Sequence, residues 1–209
     1  MQLTSDFGIW QEGLVWLGKH FFEIFGTLFG LIYIVYSILG DRKLWFYGLV
    51  TSAIYVYICF SSRIYADMVI NAYYVTVSVY GWIHWKLRAG KEKSNKMPIS
   101  KVTITQTLLL GITTLVLCSA IFLVLNNLTD SDIALLDSVT TSASIVATWM
   151  LARKIMEHWL IWVVVDALSV GLYIYKELYL TAFLFLIYTI MAVAGFVQWR
   201  KQWINQTSA

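Results

Sequence analysis

Apolar residues along this chain fall into seven runs, each close to the length of a bilayer core and separated by short polar breaks. A hydrocarbon slab roughly 30 Å thick takes about 20 residues of helix. On that measure the spans are His20–Leu39, Leu44–Phe60, Tyr65–Lys86, Val102–Leu125, Leu135–Leu151, Glu157–Tyr175 and Leu180–Trp199. Backbone groups that meet no water must pair within their own segment, so the spans are helical and the chain is an all-α integral membrane protein. Phe7–Gly18 is amphipathic and reads as a surface segment. The first span follows acidic residues and lacks a small-residue cleavage site, so it reads as retained rather than as a signal peptide.

The pattern also repeats. Sliding the chain on itself by 114 positions aligns Trp45 with Trp159, Ala53 with Ala167, Tyr74 with Tyr188, Gly81 with Gly195 and Trp85 with Trp199. No gap is needed over the aligned stretch, and chance matches of tryptophan and glycine are rarer than those of leucine. Spans one to three then correspond to spans five to seven, with the fourth left over. A single intervening helix gives both halves the same orientation, making parallel repeats related by an axis along the membrane normal. That arrangement belongs to transporters with a site near the midplane. The chain divides accordingly into an amphipathic segment (1–19), repeat A (20–87), a loop with linker helix and outer loop (88–134), repeat B (135–200) and a tail (201–209).

Composition agrees with this reading. Hydrophobic residues make up 59% and charged residues 13%, the mean hydropathy is +0.70, and Pro98 is the one proline. The net charge of +3 would suggest nucleic acid in a soluble protein, but here the cations sit in loops. Arg42, Lys43, Lys86, Arg88, Lys91, Lys93, Lys96, Lys101, Arg153, Lys154, Arg200 and Lys201 gather on one side, against Lys19, Arg63 and Lys176 on the other. The positive-inside rule then puts the N-terminus outside and the C-terminus in the cytoplasm. Cys59 and Cys118 lie in apolar stretches and do not make a disulfide or metal framework.

Asp166 stands out, near the middle of span six, where a carboxylate costs roughly 2.5–3.5 kcal/mol on insertion scales. Trp159, Trp162, Asp166, Ser169 and Tyr173 form one helical stripe. Two indoles beside a carboxylate suit a flat aromatic cation, stacked by the rings and paired by the charge. The partner helix offers Thr51, Ser52 and Tyr55, span three offers Asn71, and span five offers Asp137 and Thr141. A helix–helix hydrogen bond is the bland alternative for Asp166, and packing glue for each neutral group. His20, His84 and His158 give no mid-membrane haem pair, span seven has no lysine for retinal, and no catalytic constellation appears. The expectation is a transporter without cofactor or metal, not an enzyme. A seven-helix receptor or redox protein is the distant alternative.

Three stretches resemble the Pnu family of bacterial vitamin transporters: LARKIMEHWLIWVVVD, IYADMVINAYYVTVSVYGWIHW and LYIYKELYLTAFLFLIYTIMAVAGFVQWRK. The first holds the family's Trp-x-x-Trp pattern, here Trp159 and Trp162, with a polar residue four positions on, here Asp166. The resemblance implies a three-plus-one-plus-three fold related to the SWEET sugar transporters. It further implies a homotrimer in the bacterial inner membrane and passive uptake of an unphosphorylated vitamin, which a cytosolic kinase then traps. The nicotinamide-riboside type (PnuC) carries Asn before the first tryptophan and Asn at the last position. This chain has His158 and Asp166 there, and Thr51–Ser52 and Asn71 at two further divergent positions. Those departures favour the thiamine type (PnuT), with nicotinamide riboside as the alternative.

Overall fold

The computed structural model describes residues 25, 28–61, 63, 65–90, 97–129 and 132–208. The expected amphipathic segment 1–19, the start of the first span and most of the loop at 91–96 lie outside these residues. Among the described residues seven helices follow one another: α1 (Leu28–Leu39), α2 (Leu44–Ser61), α3 (Tyr65–Ala89), α4 (Ile104–Leu128), α5 (Ala134–Ala152), α6 (His158–Tyr175) and α7 (Tyr179–Thr207). Five of them, α2 and α4 to α7, are long and apolar enough to cross a membrane. In α3 the polar Asp67, Asn71, His84, Lys86 and Arg88 dilute an otherwise apolar helix.

Helix α2 packs on α3, α6 on α7, and α5 sits between α3, α4 and α6. Small residues let neighbours approach α5 closely, among them Ala134, Ser138, Ser142 and Ala147, all buried. The hydroxyls of Ser138 and Thr148 bond to the carbonyls of Ala134 and Ser144 in their own helix, so each is satisfied without a partner helix. Helix α4 differs: none of its residues is buried. A capping box starts it, in which Thr103 Oγ1 accepts from the Gln106 N–H and Gln106 Oε1 accepts from the Thr103 N–H.

The turn geometry repeats at the offset the sequence displays. Gly40 N–H donates to Ser37 O at 3.0 Å and Lys154 N–H to Leu151 O at 2.8 Å. Asp41 N–H donates to Tyr36 O and Ile155 N–H to Met150 O, both at 3.0 Å. Between the next helices, Arg63 bonds to Phe60 and Glu177 to Ile174, with φ of 58° at both Arg63 and Glu177. Gly40 and Lys154 share a left-handed backbone as well, at φ 64° and 56°. A lysine there costs roughly 1–2 kcal/mol that glycine does not. A Cβ on Gly40 would stand 3.6 Å from the Lys154 side chain, an ordinary contact, so glycine serves the backbone conformation rather than space.

Four tryptophans close this end of the bundle. Trp45 meets Trp85 edge-on at 5.5 Å and Trp159 meets Trp199 edge-on at 5.9 Å. Trp85 Nε1–H donates to Ala152 O at the end of α5, and Trp199 Nε1–H to Ser37 O near the end of α1, each at 3.0 Å. The Lys154 ammonium lies 4.5 Å from the Trp85 ring and donates to Met97 O at 2.7 Å and Gly40 O at 3.3 Å. Hydropathy ends the last span at Trp199 and leaves a tail, whereas α7 continues to Thr207. It does so because Gln206 makes a two-way bond with Ile99, donating to its O at 2.6 Å and accepting from its N–H at 3.2 Å.

Gly81 and Gly195 test this packing. An added Cβ would lie 2.4 Å from the Trp45 ring and 2.6 Å from the Trp159 ring, whereas at Gly171 it meets nothing. Overpacking costs about 1–3 kcal/mol. Gly81→Ala and Gly195→Ala should each lower the melting temperature of the purified protein, and Gly171→Ala should leave it within error or raise it.

Candidate functional site

Two cavities lie side by side in the bundle. The larger, of about 270 Å³, is lined by α1 (Tyr33, Ile34, Ser37), α6 (Trp159, Trp162, Asp166) and α7 (Phe185, Tyr188, Ala192), with Leu151 and His158 at its edge. The smaller, of about 160 Å³, is lined by Trp45, Gly48, Thr51 and Ser52 of α2, Tyr74 and Ser78 of α3, and Thr148 of α5. Gly30, Tyr33 and Trp162 form a wall common to both. Ligand pockets run from about 300 to 1,000 Å³, a range the two reach together but neither alone.

The cavities are counterparts under the 114-residue offset. Trp45, Gly48, Ser52, Tyr74 and Ser78 of one answer to Trp159, Trp162, Asp166, Tyr188 and Ala192 of the other. The replacements set the chemistry. Where the smaller cavity has a glycine and a hydroxyl, the larger has an indole and a carboxylate. Asp166 is 6% exposed, and no described residue donates a hydrogen bond or an ion pair to it. A buried carboxylate without a partner is costly, and the cavity beside it is the place for a cation.

Of the residues the sequence singles out, Trp159, Trp162 and Asp166 line the larger cavity and Ser52 the smaller. Tyr55, Asn71, Asp137, Thr141 and Tyr173 line neither. Asn71 donates to Asp67 O in its own helix at 2.9 Å, and Tyr173 stacks on Phe185 at 5.1 Å, behind the cavity wall. Asp137 lies in the first turn of α5, and Tyr55 and Thr141 are half-buried.

The sequence reading passes over Tyr33, Ser37, Phe185 and Tyr188 as site residues, and takes His158 only as a departure from the PnuC pattern. Tyr74 and Tyr188 were visible as a matched pair in the repeat, but α1 carries no central charge to draw attention to Tyr33. His158 is fully buried, contacts the Trp159 ring at 4.6 Å and donates from Nδ1 to Ile155 O at 2.7 Å. Its Nε2 and the Nε1 of Trp159 and Trp45 are buried without a hydrogen-bond partner among the described residues. Each such atom costs about 1–3 kcal/mol.

A model of the nicotinamide mononucleotide transporter family matches residues 20–201. The chain belongs to that family. It is 24% identical over 207 residues to the nicotinamide riboside transporter PnuC of Escherichia coli, covering 88% of this chain and 84% of that one. PnuC of Neisseria mucosa is 24% identical over 181 residues, covering 82% and 69%. A crystal structure of the vitamin B3 transporter PnuC superposes with a TM-score of 0.71 at 24% identity, over 98% of this chain and 91% of that one, and shares its fold. This family member is therefore a multi-pass membrane transporter. The relatives give no support to the thiamine preference, which rested on departures at His158, Thr51, Ser52, Asn71 and Asp166.

Burial of an uncompensated carboxylate trades stability for function. Asp166→Asn, measured at pH 8 without ligand, should raise the melting temperature, by an amount equivalent to about 1–3 kcal/mol. Trp159→Ala should lower it, since emptying the space of a large aromatic costs about 3–5 kcal/mol.

Proposed function

We propose that this chain carries nicotinamide riboside across the membrane, with Asp166 as the residue that receives its charge. The observation that carries the reading is the buried carboxylate, bonded to no other described residue, one turn beyond Trp162 and two beyond Trp159 on the wall of the larger cavity. Nicotinamide riboside is a pyridinium cation joined to a sugar. The indoles stack the ring and the carboxylate offsets its charge, each more strongly in a desolvated cavity than in water. The sugar hydroxyls suit the neutral wall of Thr51, Ser52 and Ser78 in the adjoining cavity. The names of the relatives support the same substrate over thiamine.

The scaffold is read as two three-helix repeats, α1–α3 and α5–α7, joined by α4. Turn hydrogen bonds that recur at the offset support this, as does the lack of any buried residue in α4. Transport then proceeds by rocking the repeats about the cavities, exposing Asp166 to each side in turn. The excess of cations in the loops supports a cytoplasmic position for the Trp85–Trp199 end in a bacterial cell, where a vitamin kinase would keep the gradient by phosphorylating the product. Movement is passive, and the assembly is a homotrimer in the inner membrane, as the family resemblance implies.

Tryptophan fluorescence of the purified protein tests the substrate, with nicotinamide riboside, thiamine and riboflavin titrated in parallel. Saturable quenching by nicotinamide riboside is expected, weakened tenfold or more in Asp166→Asn, about 1.4 kcal/mol. Ser52→Ala should weaken it by less than about fivefold, as befits a neutral hydrogen bond. Quenching by thiamine alone would overturn the assignment of substrate, and unchanged affinity in Asp166→Asn would overturn the assignment of site.

A further inference from the structure

A third cavity, of about 160 Å³, opens at the Trp85–Trp199 end of the bundle, on the outer side of α3, α4 and α5 and away from the substrate cavities. His84 and Arg88 of α3, Ser100 and Gln106 of the approach to α4, and Arg153 after α5 line it, together with Met97, Pro98 and Ile155. Two guanidinium groups and an imidazole converge there, and no carboxylate is among the described lining residues. Arg153 is held in place: its Nη1–H donates to Tyr80 Oη at 3.1 Å, and its guanidinium lies 5.7 Å from the Trp149 ring. Tyr80 in turn stacks on His84 at 5.4 Å with the planes 15° apart. The carbonyl oxygen of Gln106 is engaged in the helix cap, which leaves its NH₂ as a donor.

We infer that this cavity holds the phosphodiester of an anionic phospholipid. Its chemistry asks for an oxyanion, because guanidinium groups, of which Arg153's is held by Tyr80, pair with phosphate oxygens in a geometry that ammonium groups do not match. A free phosphate would satisfy that much. What favours a lipid is the surface around the cavity, where Ile83 and Leu87 of α3 and Ile104 and Leu108 of α4 are all exposed. Acyl chains would lie along these side chains while the headgroup sits among the cations. Basic pockets between membrane helices on the cytoplasmic side bind anionic headgroups in this way. The inference does not depend on which vitamin the protein carries.

Thermal unfolding of the full chain in a neutral detergent tests it, with phosphatidylglycerol, phosphatidylcholine or inorganic phosphate added. Phosphatidylglycerol should raise the melting temperature by about 3 °C or more, since a ligand that binds only the folded state stabilises it. Arg88→Gln should reduce that rise and Arg88→Gln with Arg153→Gln should abolish it. Arg200→Gln with Lys201→Gln, the same charge removed outside the cavity, should keep it. Arg88 is exposed and bonds to no other described residue, so its single variant decides the matter if the double variant does not fold. An undiminished rise in the Arg88 variant would overturn the site. An equal rise with phosphatidylcholine, or with inorganic phosphate alone, would overturn the assignment to an anionic lipid.

Discussion

The bundle depends on two indole N–H groups reaching carbonyls at helix ends, where intrahelical donors run out. The last carbonyls of any helix lack intrahelical donors, and where little water is available each one left unpaired costs several kcal/mol. Trp85 supplies Ala152 at the end of α5, and Trp199 adds a second donor to Ser37 O near the end of α1, which also accepts from Gly40 N–H. Each bond joins a helix of one chain half to the leading helix of the other, so the two bonds tie the halves together reciprocally. The rest of this end follows from them. Trp45 and Trp159 pack edge-on against these rings, and they fit because Gly81 and Gly195 offer no side chain. A buried ammonium is tolerable beside them because Lys154 finds two carbonyls and the Trp85 face. Without such partners, taking one charge out of water would cost several kcal/mol.

That logic explains what could be read from the sequence. The offset was visible through Trp45, Gly81 and Trp85 and their counterparts because a bulky ring and the hole that receives it constrain each other. Asp166 was visible because charge in a span is expensive. What escaped was whatever carries no such cost. Tyr33 and Tyr188 are ordinary in a chain rich in aromatics, and only the three-dimensional arrangement sets them on the cavity wall. Asn71 shows the converse error. A polar group in mid-span need not face a site, since the carbonyl one turn back in its own helix can satisfy it. The continuation of α7 past Trp199 escaped for a different reason: hydropathy measures the membrane, while Gln206 and Ile99 set the end of the helix.

Near-symmetry also clarifies the cavities. A shared frame gives each half a tryptophan, a tyrosine and, two helical turns beyond that tryptophan, a position for a polar side chain. One half spends that position on a hydroxyl, the other on a carboxylate. On the proposed reading a cation binds beside Asp166, and the neutral cavity next to it takes uncharged polar atoms. Two carboxylates facing each other across the shared wall of Tyr33 and Trp162 would repel and would share a proton. Asymmetry at this one pair of positions keeps a single fixed charge at the centre of a nearly symmetric frame.

The cavity and the closed end are not separate structures. Trp159 lines the larger cavity and also packs edge-on against Trp199. Ser37 lines the same cavity, and its carbonyl accepts the Trp199 N–H. His158 touches both rings, at 4.6 Å from Trp159 and 4.8 Å from Trp199. A route from the cavity to that end must therefore part Trp199 from Ser37 and shift the indole that forms the cavity wall. Close-packed interiors do not deform continuously, so such a change takes the form of a switch between two packings. A substrate bound at the proposed site would press on the same side chain that packs against Trp199, which would link binding to opening through one indole.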